Sequence, residues 1–117
     1  MLFVGDIVPS LIAGFGTSVE RIQKQSGEIR KIVRATLRAI QFAKTNRQET
    51  VKSIAKWTAM EMPLAQGSYD MAVETWSANG IPGVEALRAT MEEVQKELKL
   101  ERTPDPSQAF DWSFVKQ

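Results

Sequence analysis

Several groups of residues have types and spacing that could carry chemistry. Gly14-Phe15-Gly16-Thr17-Ser18 runs into a predicted helix start, where backbone N–H groups and the helix dipole can hold an anion. The run is neither a dinucleotide fingerprint nor a P-loop and no lysine follows at the required place, so a turn feeding a capped helix is the commoner reading. Arg30, Arg34 and Arg38, with Lys31 beside them, could contact phosphates; a solvated or salt-bridged helix face is the plainer alternative. Trp57, Tyr69, Trp76 and Trp112 could stack a flat ligand, although aromatic side chains more often fill a core. Glu92-Glu93 and Glu97 could act as paired carboxylates, but Glu93 and Glu97 fall one turn apart on a polar face where solvation is the default. Asp6, after Gly5 at a turn, and Ser10, after Pro9, are candidate ligand contacts.

Composition weighs against catalysis. The 117 residues include neither histidine nor cysteine. The usual general base at neutral pH, the commonest metal ligand, disulfides and thiolate chemistry are therefore missing. The expectation is a chain that is not an enzyme, with no catalytic residue, no metal site and no cofactor. Hydrophobic residues at 43 % and charged residues at 25 % are ordinary for a folded domain. The net charge of +1 conceals an asymmetry: residues 20–56 hold ten basic residues against three acidic ones, a net +7, which leaves −6 for the remainder. The two parts can pair within the fold. No segment is long and apolar enough to span a bilayer. Met1-Leu2-Phe3-Val4 is apolar, but Asp6 interrupts it and no basic residue precedes it. It is a poor signal peptide, and nothing in the chain as given would direct export.

The elements that must position these groups are mainly helices. Residues 1–16 carry Gly5, Pro9, Gly14 and Gly16 among short apolar runs, which predicts a short extended or β segment joined by turns. From Thr17 the period becomes helical. Thr17 and Glu20 suit a capping box and open a short first helix to near Gln25. Ile29, Ile32, Val33, Thr36, Leu37 and Ile40 lay one apolar stripe along a long helix over 27–45. Asn46 with Glu49 repeats the capping pattern and opens a third helix to about Ala59, with Val51, Ile54, Ala55 and Thr58 inward and Trp57 flanking them. Pro63 suits the first turn of a fourth helix bearing Leu64, Tyr69, Val73 and Trp76, which Asn79-Gly80 stops. Pro82 restarts the chain, and Val84, Leu87, Met91, Val94 and Leu98 define a fifth helix to about Lys99. Thr103 to Ser107, with two prolines, reads as a stiff extended linker. Phe110, Trp112, Phe114 and Val115 mark a docking tail. The expectation is one domain over 1–117: an extended segment 1–16, a bundle of about five helices over 17–99, and a tail 100–117 with a short helix.

The order of these pieces resembles a known family. Gly5-Asp6-Ile7-Val8-Pro9, Gly14-Phe15-Gly16-Thr17, Val33-Arg34-Ala35-Thr36-Leu37-Arg38-Ala39-Ile40, Asn46-Arg47-Gln48-Glu49, Tyr69-Asp70 and Phe110-Asp111-Trp112-Ser113-Phe114-Val115 together resemble the C-terminal third of periplasmic ABC-transporter solute-binding proteins of the nitrate, sulfonate and thiamine-precursor group. The resemblance implies a fragment of a two-lobed periplasmic-binding-protein fold of type II, in which helices close over α/β lobes. It implies a role in small-molecule uptake, a periplasmic location and an ABC permease as partner. It also implies that a small-molecule ligand binds only when the lobes are supplied, since the sheet strands and most of the cleft lie outside this stretch. Such a segment would expose helix faces shaped to cover a sheet and leave strand edges unpaired. A self-associated, mainly helical homo-oligomer with exchanged segments is the expected consequence. The competing reading is a free-standing oligomeric helical module whose basic helix binds an acidic partner or nucleic acid; on the first reading no nucleic acid is expected.

Overall fold

The structure, a computed structural model, describes residues 13–115. The fold is mainly α. Five helices follow one another, α1 (Val19–Lys24), α2 (Ser26–Thr45), α3 (Arg47–Thr58), α4 (Met62–Ala72) and α5 (Val84–Glu97), with short 3₁₀ turns at Val73–Thr75 and Pro106–Gln108. The described residues contain no strand. The predicted extended segment over 1–16 lies almost wholly outside them; residues 13–17 are irregular. No helix among the described residues is long and apolar enough to cross a membrane. The chain divides into two compact units, Gly27–Gly80 and the segments on either side of it.

In the unit Gly27–Gly80 the core is a small cluster between α3 and α4. Val51, 1 % exposed, Ala65 and Tyr69, 3 % exposed, are buried, with Ile54, Ala55, Val73 and Trp76 packed on them. The ring of Trp76 meets Tyr69 edge-on at 5.8 Å between centroids, a favoured aromatic geometry. One expected member of the inward face is not there: Thr58 is exposed, and Trp57, expected to flank that face, is 89 % exposed. The hydroxyl of Thr58 donates instead to the carbonyl of Ile54 at 2.7 Å on its own helix. Along α2 the apolar stripe forms as expected, but no residue of the helix is buried. Ile29, Val33, Leu37 and Ile40 are half-buried and Ile32 is exposed.

Helix ends follow the local chemistry, with corrections of one to several residues. Ser18, not Thr17, caps α1: its Oγ accepts the Arg21 N–H at 3.2 Å. The Glu20 carboxylate accepts from the Lys24 ammonium at 2.7 Å rather than closing a capping box. Asn46 precedes α3 without capping it. Its amide donates backward to the Phe42 carbonyl at 2.9 Å, because the last carbonyls of a 20-residue helix need donors. Ala59 ends α3 in the left-handed region at φ 55, and the Met60 N–H reaches the Ala55 carbonyl at 3.1 Å, a C-terminal closure that glycine normally serves.

Pro63 does occupy the first turn of α4. The helical rise there ends at Thr75, not at Asn79-Gly80, and Trp76 is already extended. Gly80, at φ 75, shapes a later turn. Gly83 is the N-cap of α5, so Pro82 lies outside the first helical turn.

In the other unit, Met91 is the one buried side chain of α5. The helix closes through Lys99 at φ 51 and a Leu100 N–H to Gln95 carbonyl bond of 3.0 Å. The expected extended linker is partly folded: Asp105 accepts the Ser107 N–H at 2.8 Å and Gln108 reaches back to the Asp105 N–H at 3.3 Å, which caps the Pro106–Gln108 turn. Beyond it Phe110 and Trp112 stack at 5.3 Å with planes 7° apart. The expected C-terminal helix is replaced by that turn and a looser one at residues 113–115.

Candidate functional site

The densest polar constellation lies where α2 ends, in the unit Gly27–Gly80. The carbonyls of the last turn of α2 have no partner within the helix, and α3 and α4 supply donors. The Tyr69 hydroxyl donates to the Ala43 carbonyl at 2.8 Å, and the Thr50 hydroxyl approaches the same oxygen at 3.3 Å. In the opposite direction, the Lys44 ammonium donates to the carbonyls of Val73 and Trp76, at 3.0 Å each. It thereby closes the C-terminal end of α4 and its 3₁₀ extension, where the dipole favours a cation. Arg47, at the start of α3, grips Asp70 of α4 through two parallel bonds, Nε to Oδ1 at 2.9 Å and Nη2 to Oδ2 at 2.7 Å. The same guanidinium lies 5.7 Å from the centroid of the Tyr69 ring, within cation–π range.

The hydrogen bonds and charge of this pair move both groups away from their ordinary values. Arg47 holds the Asp70 carboxyl down, and Asp70 raises Arg47. Both side chains are about half exposed, so the pair fixes geometry more than it adds stability. On α5, Arg88 binds Glu85 at 2.8 Å and Glu92 at 2.7 Å, which raises the arginine. Asp105 and Asp111 are held low by the hydroxyl and amide of Ser107 and of Ser113 respectively.

No family model, no curated protein and no solved structure matches this chain.

The candidates read from sequence fall out as follows. Asp6 and Ser10 lie outside the described residues. The Gly14–Ser18 run leads into a helix of only six residues whose N-terminal donor is taken by Ser18 itself. The space beside Gly14 and Gly16 is open, so neither glycine is required by close approach. Trp57 is exposed, Tyr69 and Trp76 are core partners, and Trp112 stacks on Phe110 in the other unit. Glu92 is engaged by Arg88, while Glu93 and Glu97 are exposed. Arg30, Lys31, Arg34 and Arg38 are all exposed. Two surface recesses, of about 360 and 290 Å³, are each lined by one short stretch of mostly exposed polar side chains, around Arg21 and around Arg47. No group of three or more carboxylates gathers among the described residues to hold a metal ion.

Sequence reasoning missed Lys44 and the Arg47–Asp70 clasp. A signal existed for the first: Lys44 follows Ile40 by one turn, so it continues the apolar stripe of α2, where a lone cation implies an acceptor on the neighbouring element. For the second, Arg47 and Asp70 stood in separate motifs 23 residues apart, and nothing in either motif names the other.

Proposed function

We propose that this chain is a helical packing module of a small-molecule uptake protein, corresponding to the C-terminal part of an ABC-transporter solute-binding protein of the nitrate, sulfonate and thiamine-precursor group. In this reading it is not an enzyme. Its helices cover a second polypeptide surface, an α/β lobe in the full type II periplasmic fold or another copy of the chain in its absence. The small-molecule ligand binds only with the lobes, the permease is the transport partner, and the location is the periplasm. One observation carries the reading: α2 is 20 residues long with a continuous apolar stripe, and it buries no residue. Trp57, Leu64 and Met71 on α3 and α4 are exposed as well. Two of the motifs behind the resemblance, Asn46-Arg47-Gln48-Glu49 and Tyr69-Asp70, meet through the Arg47–Asp70 clasp, which supports reading them as parts of one packed device.

Sedimentation velocity at micromolar concentration tests the packing role. The expected result is a self-associated species that Trp57→Ser shifts toward monomer without loss of helical circular dichroism. A stable monomer, unchanged by that substitution, overturns the reading. In a thermal-shift screen against nitrate, a sulfonate and a pyrimidine precursor, the chain alone shows no rise in melting point; a rise identifies a self-sufficient binding site and overturns the fragment reading.

A further inference from the structure

Asn79-Gly80 is left by the fold without the helix-stopping duty that its sequence suggested. The helical rise ends at Thr75, and residues 76–83 belong to no helix. Within this stretch the half-buried Ser77 donates from its Oγ to the Asn79 Oδ1 at 2.9 Å. Asn79 is exposed, and Gly80 follows it at φ 75, a left-handed conformation that glycine adopts at no steric cost. The turn therefore demands a glycine directly after an asparagine. That pairing is reactive as well as compact. The carboxamide carbon of an asparagine and the backbone nitrogen of the next residue can join to close a five-membered ring, and glycine puts no Cβ in the way.

We propose that Asn79 is a site of spontaneous deamidation, promoted by Ser77. The Gly80 nitrogen, as it loses its proton, attacks the Asn79 Cγ. Negative charge gathers on Oδ1, the atom that the Ser77 hydroxyl already serves, and a donor aimed at a developing oxyanion lowers the barrier. The bond from Cγ to Nδ2 then breaks, the nitrogen takes up a proton and leaves as ammonia, and a cyclic imide remains. Water opens the imide. Attack at Cγ restores the ordinary main chain, with an aspartyl side chain at position 79. Attack at the main-chain carbonyl carbon of that residue leaves the chain running through the side chain, as isoaspartate. By either route an amide and water become a carboxylate and ammonium, with no change in oxidation state. The product carries one more negative charge, so the net charge falls from +1 to zero. The isoaspartyl form also adds one main-chain atom to the link by which the unit Gly27–Gly80 continues to Ile81. Asn46, the other asparagine of the chain, is the comparison. It is followed by Arg47, which brings a Cβ and a long side chain, and its carbonyl accepts the Thr50 N–H at 3.0 Å as α3 begins. Ring closure there must turn that peptide and unmake the start of the helix.

Incubation of the full chain at neutral and at mildly alkaline pH tests this, with the same chain unfolded in urea as the reference. Ion-exchange chromatography separates the acidified product, and peptide mapping with enzymatic methylation of isoaspartate places it in the sequence. In the folded chain the product is expected at Asn79, with isoaspartate in excess, and it forms faster at the higher pH because the attacking nitrogen must give up its proton. Asn46 keeps its amide. Asn79→Gln abolishes the product, since the longer side chain has to close a larger ring. Ser77→Ala slows the folded chain about threefold, the scale of one hydrogen bond between neutral groups near water, and leaves the rate in urea unchanged; Ser77→Thr keeps the hydroxyl and recovers rate. If the folded chain retains the Asn79 amide over a period in which the unfolded chain converts, the turn is locked against ring closure and the proposal is overturned. Conversion of Asn46 before Asn79 overturns it as well, as does a folded Ser77→Ala chain that reacts as fast as the parent with its helical spectrum preserved.

Discussion

Replacing Lys44 with methionine isolates the polar fastener at the end of α2. The side chain keeps its length and its apolar stem, and loses only the ammonium. Two carbonyls, those of Val73 and Trp76, then lose donors at 3.0 Å each. A hydrogen bond from a charged donor is worth about 1.5–3 kcal/mol, but both acceptors sit at a helix end within partial reach of water, which replaces much of what is lost. The net cost is therefore about 1–3 kcal/mol for the two bonds together. At roughly 4 °C per kcal/mol for a chain of this size, the melting point falls by about 4–12 °C. Urea unfolding followed by far-ultraviolet circular dichroism measures the same quantity as a lower midpoint at unchanged slope. Lys44→Arg keeps the charge and recovers part of the loss. If the methionine variant melts within about 1 °C of the parent, the carbonyls are adequately hydrated without the ammonium, and the argument that α4 is anchored through Lys44 is wrong.

Tyr69→Phe removes the hydroxyl that serves the Ala43 carbonyl while the ring stays buried; the expected loss is about 0.5–1.5 kcal/mol, readable in the same urea titration, because the single proton of the nearby Thr50 hydroxyl has its shorter bond, 2.9 Å, to the Asn46 carbonyl. Ala59→Gly relieves a left-handed residue at φ 55 and raises stability by about 0.5–1 kcal/mol, whereas the same change at a right-handed helical position lowers it. Asp70 is held below its ordinary value by Arg47. Its contribution is therefore complete above the unfolded aspartate range and is lost as pH falls from about 4 through the folded value; the difference in urea midpoint between the parent and Asp70→Asn narrows on acidification from pH 7 to below pH 3.

The helices were legible because each announces itself over a turn or more. The stripe from Ile29 to Ile40 admits only a helix, and Pro63 fixed where α4 begins. What stayed hidden depends on groups brought together from a distance. Asn46 reads as an N-cap of α3 because asparagine prefers that place, yet Asn46 sits at the junction of two helices, and both its backbone N–H and its side-chain amide donate back to the Phe42 carbonyl, at 2.8 and 2.9 Å. Thr17 and Ser18 are equally good caps by type, and only the backbone decides between them. Trp57 was placed beside the core because large aromatics usually are; one position of rotation on α3 puts it in solvent. The charge asymmetry was visible as a total, but not that Lys44 and Arg47 serve α4 and its 3₁₀ turn.

A short unit whose fully buried residues are Val51, Ala65 and Tyr69 gains little from apolar burial, since that term grows with the area removed from water. Its helices are tied instead by directional bonds at their ends: Tyr69 to Ala43, Lys44 to Val73 and Trp76, Arg47 to Asp70. End-tying sets the angle between helices without consuming their flanks. The half-buried stripe of α2 is then left for a second apolar surface. Occupying it would stabilise the unit by mass action. The melting point should therefore rise with protein concentration, and a melting point that does not change with concentration would mean that no second copy covers the stripe.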